Sequence, residues 1–576
     1  MKIITNYFIN NNTQIQPNFN SKKNIVKSDS MQAMLSLLSA GCVTIIVGLE
    51  RVKKTMKEME NFIKIRENLS AEAEPKILKA QRLDWDFYTN STQENMAKMQ
   101  KAWDEYQKVF SDEKTYNKFK EIKIENLPKH EAKQLKDLLK AFDDEINTGE
   151  LKKALRDKES EIAQKYNGYV PMIDGKETSK AEITKILQTE TDEIVRQKAY
   201  DAKIKGGDLI ADDLKDFVKM RNEYAKTKGY DNYFDYMLKE TYDVEKEFLN
   251  KLIEEVYSKA QTKITSIQNN KYKELKDFFK KNNLSAYHYG LLLESAPSKK
   301  VNEILEGLAK NNPKIIEEIS KHTYEGMGYD VDKMIADGRL TLDLYPRKGK
   351  NTHGFCFDIE AEKDARILAN LTNNVSSIDT LNHEMGHSVY HLGISKKLPY
   401  FDQTASSPAV TEAIAMMMGD LLKTENILKG YIEDEQLSKF KQTFSEDEAN
   451  FVSKSLLIID FEREFYKNPD KDPKILWSEL KQKYLNRKEE PDNEWATIPH
   501  YLSHPAYYQN YFRATLMKAQ IYNHLKSVLG NITENNASAD YLNRHIFKLG
   551  ASVEEYDLIK QLTGKDFSVK DFLNNL

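Results

Sequence analysis

The sequence predicts a nearly all-α protein with one small β element, and three features carry that expectation. Turn formers are scarce: 22 glycines and 14 prolines in 576 residues, about half the usual share of each. Charge is dense and dispersed, at 31% of residues, as on the wet faces of long helices. Apolar residues recur every three or four positions over much of the chain, the period of an amphipathic helix. With 40% hydrophobic and 10% aromatic residues, there is ample material for a core. A disulfide-stapled mini-domain and a wholly disordered chain are excluded. The 86 basic residues face 90 acidic ones, so no global positive field invites nucleic acid. Cys42 and Cys356, the two cysteines, supply neither a disulfide framework nor a cysteine zinc site.

Residues 1–33 are polar and Asn/Lys-rich and read as a disordered tail. Residues 34–49 carry no charge. As a helix they span roughly 24 Å, short of the ~30 Å hydrocarbon core of a bilayer. Ser39-Ala40-Gly41-Cys42 is loosely similar to a bacterial lipoprotein cleavage site, in which the cysteine carries lipid. Two readings stand side by side: a signal or anchor to the cell envelope, and a buried first helix. Membrane contact is expected only through this stretch or a lipidated Cys42.

Residues 51–336 read as a helical N-terminal part. Within Glu94–Phe110, the residues Met96, Met99, Trp103, Tyr106 and Phe110 form one apolar stripe, with Ser91 and Glu94 as a capping box. Breaks are expected at 167–175 and at Lys205-Gly206-Gly207-Asp208. Residues 337–576 form the part that holds the chemistry. No repeat of fixed period and no low-complexity linker separates the two parts, so one continuous body is expected. The texture changes at Leu340–Tyr345, whose alternation reads as a strand. Pro346–Lys350 is a turn, and His353–Phe357 reads as a second strand.

Directly afterwards comes His383-Glu384-Met385-Gly386-His387, an HExxH pattern. Residues i and i+4 share a helix face, so both imidazoles reach one ion, with Glu384 placed beside its water. A bare HExxH also arises by chance, so context decides. His391 lies eight residues after His383, about 12 Å along the helix. It is too far for the same ion and is expected to be a partly exposed helix residue. Glu412 is the better third ligand. Ser407 fits an N-cap and Pro408 the first helical position of its helix. A lone carboxylate in that apolar run needs a compensating charge if buried. The strand at His353-Gly354 could align an extended peptide backbone. From His500 to Tyr511, two histidines and four tyrosines fall within twelve residues. They are neutral donors suited to an oxyanion.

At these residues the chain resembles the HExxH-plus-glutamate zinc peptidases. Pro346–Lys350, Gly354-Phe355-Cys356 and Ile498–Tyr511 resemble the oligoendopeptidase F and thimet oligopeptidase family. The HEMGH segment, Glu412-Ala413-Ile414 and Trp85–Asn90 resemble the angiotensin-converting enzyme family. The resemblance implies a helical ellipsoid divided by a deep substrate channel, with one zinc ion held by His383, His387 and Glu412 and Glu384 as base. It implies Tyr511 as oxyanion donor with Tyr508 nearby, and His500 as a catalytic, substrate-contacting histidine with His504 able to exchange roles. It implies His353 and Gly354 as the substrate-aligning strand. The implied activity is zinc-dependent hydrolysis of short unfolded oligopeptides. The alternatives are a non-catalytic peptide-binding envelope scaffold and a peptidyl-dipeptidase releasing C-terminal dipeptides. Three positions depart from the converting-enzyme pattern. Ile498 replaces a lysine that grips the substrate's terminal carboxylate, Asn510 an arginine for chloride, and Met416 an aspartate that orients the second zinc histidine. They weigh against dipeptide-only release and chloride activation, and a different partner is expected to hold the zinc histidines.

Overall fold

In the computed structural model the described residues are 42–147, 149–293, 296–351 and 353–576, with backbone alone at 42–52, 149–150 and 152. The proposed tail and the apolar stretch up to Gly41 lie outside them, as does the side chain of Cys42. The molecule is 70% helical with 4% strand, the nearly all-α class that the composition predicts. No helix among the described residues is long and apolar enough to cross a membrane.

The first helix, α1 (Cys42–Thr89), turns one stripe inward: Phe62, Leu69, Ala73, Ile77 and Ala80 are all buried. Their spacing of three, four and seven keeps them on one face. The stripe packs on Met99, Trp103 and Tyr106 of α2 (Gln93–Gln107) and on Leu135 and Phe142 beyond it. Thr92, not Ser91, caps α2, accepting from the Asn95 N–H at 3.1 Å. The Ser91 hydroxyl instead donates to the Phe87 carbonyl, so the chain leaves α1 too tightly for Ser91 to reach forward.

A hairpin of β1 (Met172–Ile173) and β2 (Lys176–Glu177) marks the first expected break. The second is no break: one helix runs Glu193–Asp208 through both glycines. Their role is contact. A Cβ on Gly207 would lie 2.3 Å from the Asn493 carbonyl oxygen, so only glycine lets the segments touch.

Three strands form the sheet beside the site, in the order β3 (Leu340–Asp343), β5 (Asp364–Leu368), β4 (Phe355–Glu360). β5 lies parallel to β3 and antiparallel to β4. The two strands read from the sequence therefore do not pair with each other, and β4 is an edge strand. Helix α1 braces it. Gln81 donates to the Asp358 carbonyl at 2.8 Å, and the Trp85 ring lies 5.5 Å from that of Phe357. The Asn351 N–H donates to the Tyr88 carbonyl at 2.8 Å, fixing the approach to His353.

Among the many other helices, four frame the site: α3 (Val375–Gly393), α4 (Pro408–Thr424), α5 (Phe444–Lys467) and α6 (Tyr508–Leu529). One core joins α3, α4 and the sheet through Leu381, Met385, Ile414, Met417 and Ile367. Another joins Phe217, Phe234 and Leu249 to Phe461, Trp495 and Phe512, residues far apart in sequence. Buried Lys518 of α6 ties three helices together, reaching Asp420 of α4 at 2.5 Å and Glu448 of α5 at 2.6 Å.

Candidate active site

Helix α3 starts at the Asn374 cap, whose side chain accepts from the Ser377 N–H. It brings His383 and His387 to one face, with ring centres 4.9 Å apart. Helix α4 starts as its sequence predicts, with Ser407 accepting from the Val410 N–H and Pro408 at the first position. The two helices can meet because Gly386 lies between the histidines. A Cβ there would fall 2.9 Å from the Ala415 Cα, closer than packed atoms approach.

This contact delivers Glu412. Its Oε2 lies 3.6 Å from His383 Nε2 and 3.9 Å from His387 Nε2. Ligand-capable atoms of the three residues all lie within 4.8 Å of one another. Those nitrogen–oxygen distances are too long for hydrogen bonds. They are a little wider than the roughly 3.3 Å edge of a tetrahedron with ~2.0–2.1 Å zinc bonds. Glu412 Oε1 accepts from the Tyr507 hydroxyl at 2.9 Å, whereas buried Oε2 has no hydrogen-bond partner. Burial pushes this carboxyl up to about 7, against the pull of Tyr507. Burial, reinforced by the Lys518 charge, lowers His383 to about 4. Burial and then His383 hold His387 well below the ordinary range. Two neutral imidazoles and an unpartnered carboxylate oxygen aimed at one point are a donor set that fits a zinc ion.

Two of the three side chains are also held from behind: Glu412 by Tyr507, and His387 by Thr411. His387 Nδ1 and the Thr411 hydroxyl share a hydrogen bond at 2.8 Å, in which Nδ1 would be the donor if Nε2 held a metal. Thr411 thus does the orienting work expected of a different partner where Met416 stands. Sequence reasoning assigned no role to Thr411, and counted Tyr507 only among the four tyrosine donors, not as a partner of Glu412. Both stand beside residues it named, but nothing in their spacing says which way a hydroxyl points.

Glu384 faces β4. The backbone N–H of Cys356 holds its carboxylate, while burial and then the charge of Glu412 push it up to about 8. Gly354 lies directly over it: a Cβ there would meet Glu384 Oε1 at 3.4 Å and Thr380 Cγ2 at 3.1 Å.

The Tyr511 ring sits 5.1 Å from Tyr507, 5.4 Å from Tyr508 and 6.1 Å from His500. Burial raises its phenol well above the ordinary value, with Glu412, Tyr508 and Glu384 adding to the effect. A phenol that keeps its proton beside two carboxylates is a donor. His500 stacks edge-on to Tyr508 at 4.9 Å. Burial lowers His500 to about 4, and the charges of His353 and Lys454 add to that, so exposed His353 stands near it. His504 bonds Ser503 through Nδ1 at 2.7 Å, its ring 5.9 Å from His500. His391 is outside the metal-capable cluster, but it is buried, at 5% exposure, not partly exposed. The reason is that α3 is covered on nearly every side: Ser388, Val389, Tyr390 and Leu392 are buried with it.

A helical body with two histidines a turn apart, and a glutamate brought in by the following helix, has the arrangement of an HExxH-plus-glutamate peptidase. The chain belongs to peptidase family M3, whose family model matches residues 186–576. The family model described as angiotensin-converting enzyme matches residues 53–289. An oligoendopeptidase F homolog of Borreliella burgdorferi is 23% identical over 390 residues, 63% of this chain and 59% of that protein. The chromosomal oligoendopeptidase F of Lactococcus lactis subsp. cremoris is 27% identical over 225 residues, 37% of this chain and 35% of that protein. Group B oligopeptidase PepB of Streptococcus agalactiae is 24% identical over 248 residues, 40% and 39% of the two chains. The matches thus span between about a third and three fifths of these relatives' own lengths.

Proposed function

We propose that the chain is a zinc peptidase that hydrolyses short, unfolded peptides, with His383, His387 and Glu412 holding one zinc ion. The observation that carries this reading is the buried, unpartnered Glu412 Oε2 facing two imidazole nitrogens. The oligopeptidase names of its relatives support the same reading. When bound, zinc supplies Lewis acidity, making water a competent nucleophile near neutral pH and polarising a carbonyl.

The protein's own groups do the rest. Glu384 takes a proton from water as it adds to the scissile carbonyl, then passes that proton to the leaving amine. Tyr511 donates to the carbonyl oxygen as negative charge develops there. His500 and Tyr508 line the same wall and contact the substrate, with His504 behind them. The open edge of β4, entered through His353 and Gly354, aligns an extended backbone as an added strand. The ligand side chains are largely covered, at 26%, 14% and 9% exposure for His383, His387 and Glu412. A scissile bond reaches them in an extended chain, not on the surface of a folded protein.

The test is cleavage of an internally quenched peptide library. Wild-type protein should cut, a chelator should stop it, and added zinc should restore it. Glu384→Gln should keep its zinc and lose nearly all turnover. Chelator-insensitive cleavage, or full activity in Glu384→Gln, contradicts the proposal. Peptide binding without cleavage would return the chain to the non-catalytic scaffold.

A further inference from the structure

Helix α5 runs through the middle of the molecule, and from Glu448 to Tyr466 a single residue, Lys454, is exposed. Its helix neighbours fix where that opening lies. Phe451, three residues before it, packs against the Tyr511 ring at 6.3 Å. The backbone carbonyl of Ile458, four residues after it, accepts from the hydroxyl of Tyr501, the residue that follows His500 in the chain, at 3.5 Å, and the Lys454 charge acts on His500 itself. Residues at i−3, i and i+4 share one helix face. Lys454 therefore meets water on the side of Tyr511 and His500, from a helix otherwise covered by protein.

Its ammonium makes no hydrogen bond or ion pair among the described residues. The nearby acid is already engaged: Glu494 is shared by Lys203 at 2.7 Å and Lys481 at 3.3 Å. Arg487 is spent on the Tyr272 hydroxyl. Burial lowers the Lys454 amine, and the charges of Lys203 and Arg487 outweigh the help of Glu494. A solvent-facing lysine whose neighbouring acid is already taken is free to pair with an anion that a ligand supplies.

We propose that Lys454 is an anchor for a carboxylate of the peptide substrate, making the site selective for anionic peptides. The inference rests on the peptidase reading and adds the substrate charge. The carboxylate has two sources, the free C-terminus and an acidic side chain, and matched peptides separate them. One pair differs only in a C-terminal acid or amide. A second set differs in Glu or Gln, scanned along the sequence.

Wild-type protein should prefer the acid member of at least one pair by about ten-fold or more in kcat/KM, carried by KM, the size expected of a charged hydrogen bond. Lys454→Met should lose that preference while cutting the neutral peptide normally. Lys454→Arg should keep it. Equal kcat/KM for every pair in wild-type protein overturns the inference and leaves the peptidase reading intact, and so does an undiminished preference in Lys454→Met. Wild-type protein that cuts no peptide overturns both.

Discussion

At the scale of single residues, hydroxyl groups hold two of the metal-capable side chains. His387 is oriented by Thr411 at 2.8 Å and Glu412 by Tyr507 at 2.9 Å. Partners of this kind are typically worth about 10–100-fold in metal affinity. Thr411→Val should therefore weaken zinc binding by about that factor in a chelator competition, while Thr411→Ser keeps it; unchanged affinity in the valine variant would show that Thr411 orients nothing. Tyr511→Phe should retain zinc and lose about 10²–10³ in kcat, as expected for one oxyanion donor. Single-turnover kinetics on the zinc-loaded variant measures this, and wild-type turnover would remove Tyr511 from the mechanism. Glu384 and the proposed ligands were legible because HExxH is a local pattern and Ser407-Pro408 marks the start of the next helix. Thr411 and Tyr507 were not, because a hydroxyl's partner depends on where three helices bring the side chains. The burial of His391 was missed for the same reason: helical period gives a face, not what covers it.

At the scale of elements, two glycines set the spacing around the site. Gly386 lets α3 and α4 touch, with 2.9 Å left for a Cβ before Ala415. Gly386→Ala must separate the helices that hold His383, His387 and Glu412. It should lower stability by about 1–3 kcal/mol, the usual cost of overpacking a core, and weaken zinc binding at the same time. Thermal unfolding with and without zinc reads both effects, and a variant matching wild type in both would mean that the helix contact has slack. The same property misled the sequence reading elsewhere, where Gly206 and Gly207 looked like a break but sit inside a helix pressed against Asn493. Glycine marks a close approach as readily as a turn, and sequence alone does not separate the two. Strand β3 was legible from alternation, though it ends at Asp343, two residues earlier than expected, and β4, also expected, begins two residues later. The five-residue β5 was not, since its buried Ala365, Ile367 and Leu368 carry little periodic contrast in so short a run.

At the scale of the whole molecule, the site is assembled from distant stretches of chain. Helix α1 braces the edge strand through Gln81 and Trp85. Helices α3 and α4 bring the metal-capable residues, and α5 and α6 supply Lys454 and the tyrosines. Lys518 links α6 to α4 and α5 through Asp420 and Glu448. The helical class was legible from composition because low glycine and proline with dispersed charge leave few other ways to bury this much apolar surface. How the halves interlock was not, since the contacts of Phe217 with the C-terminal core leave no trace in local period. The most direct test of the account is the zinc content of the purified protein, measured by elemental mass spectrometry after dialysis. Wild-type protein should hold one zinc per chain, and Glu412→Ala should hold none while its circular dichroism stays that of the wild type. A wild-type protein without bound metal that still cleaves peptides, or a Glu412→Ala variant that keeps its zinc, would contradict the account.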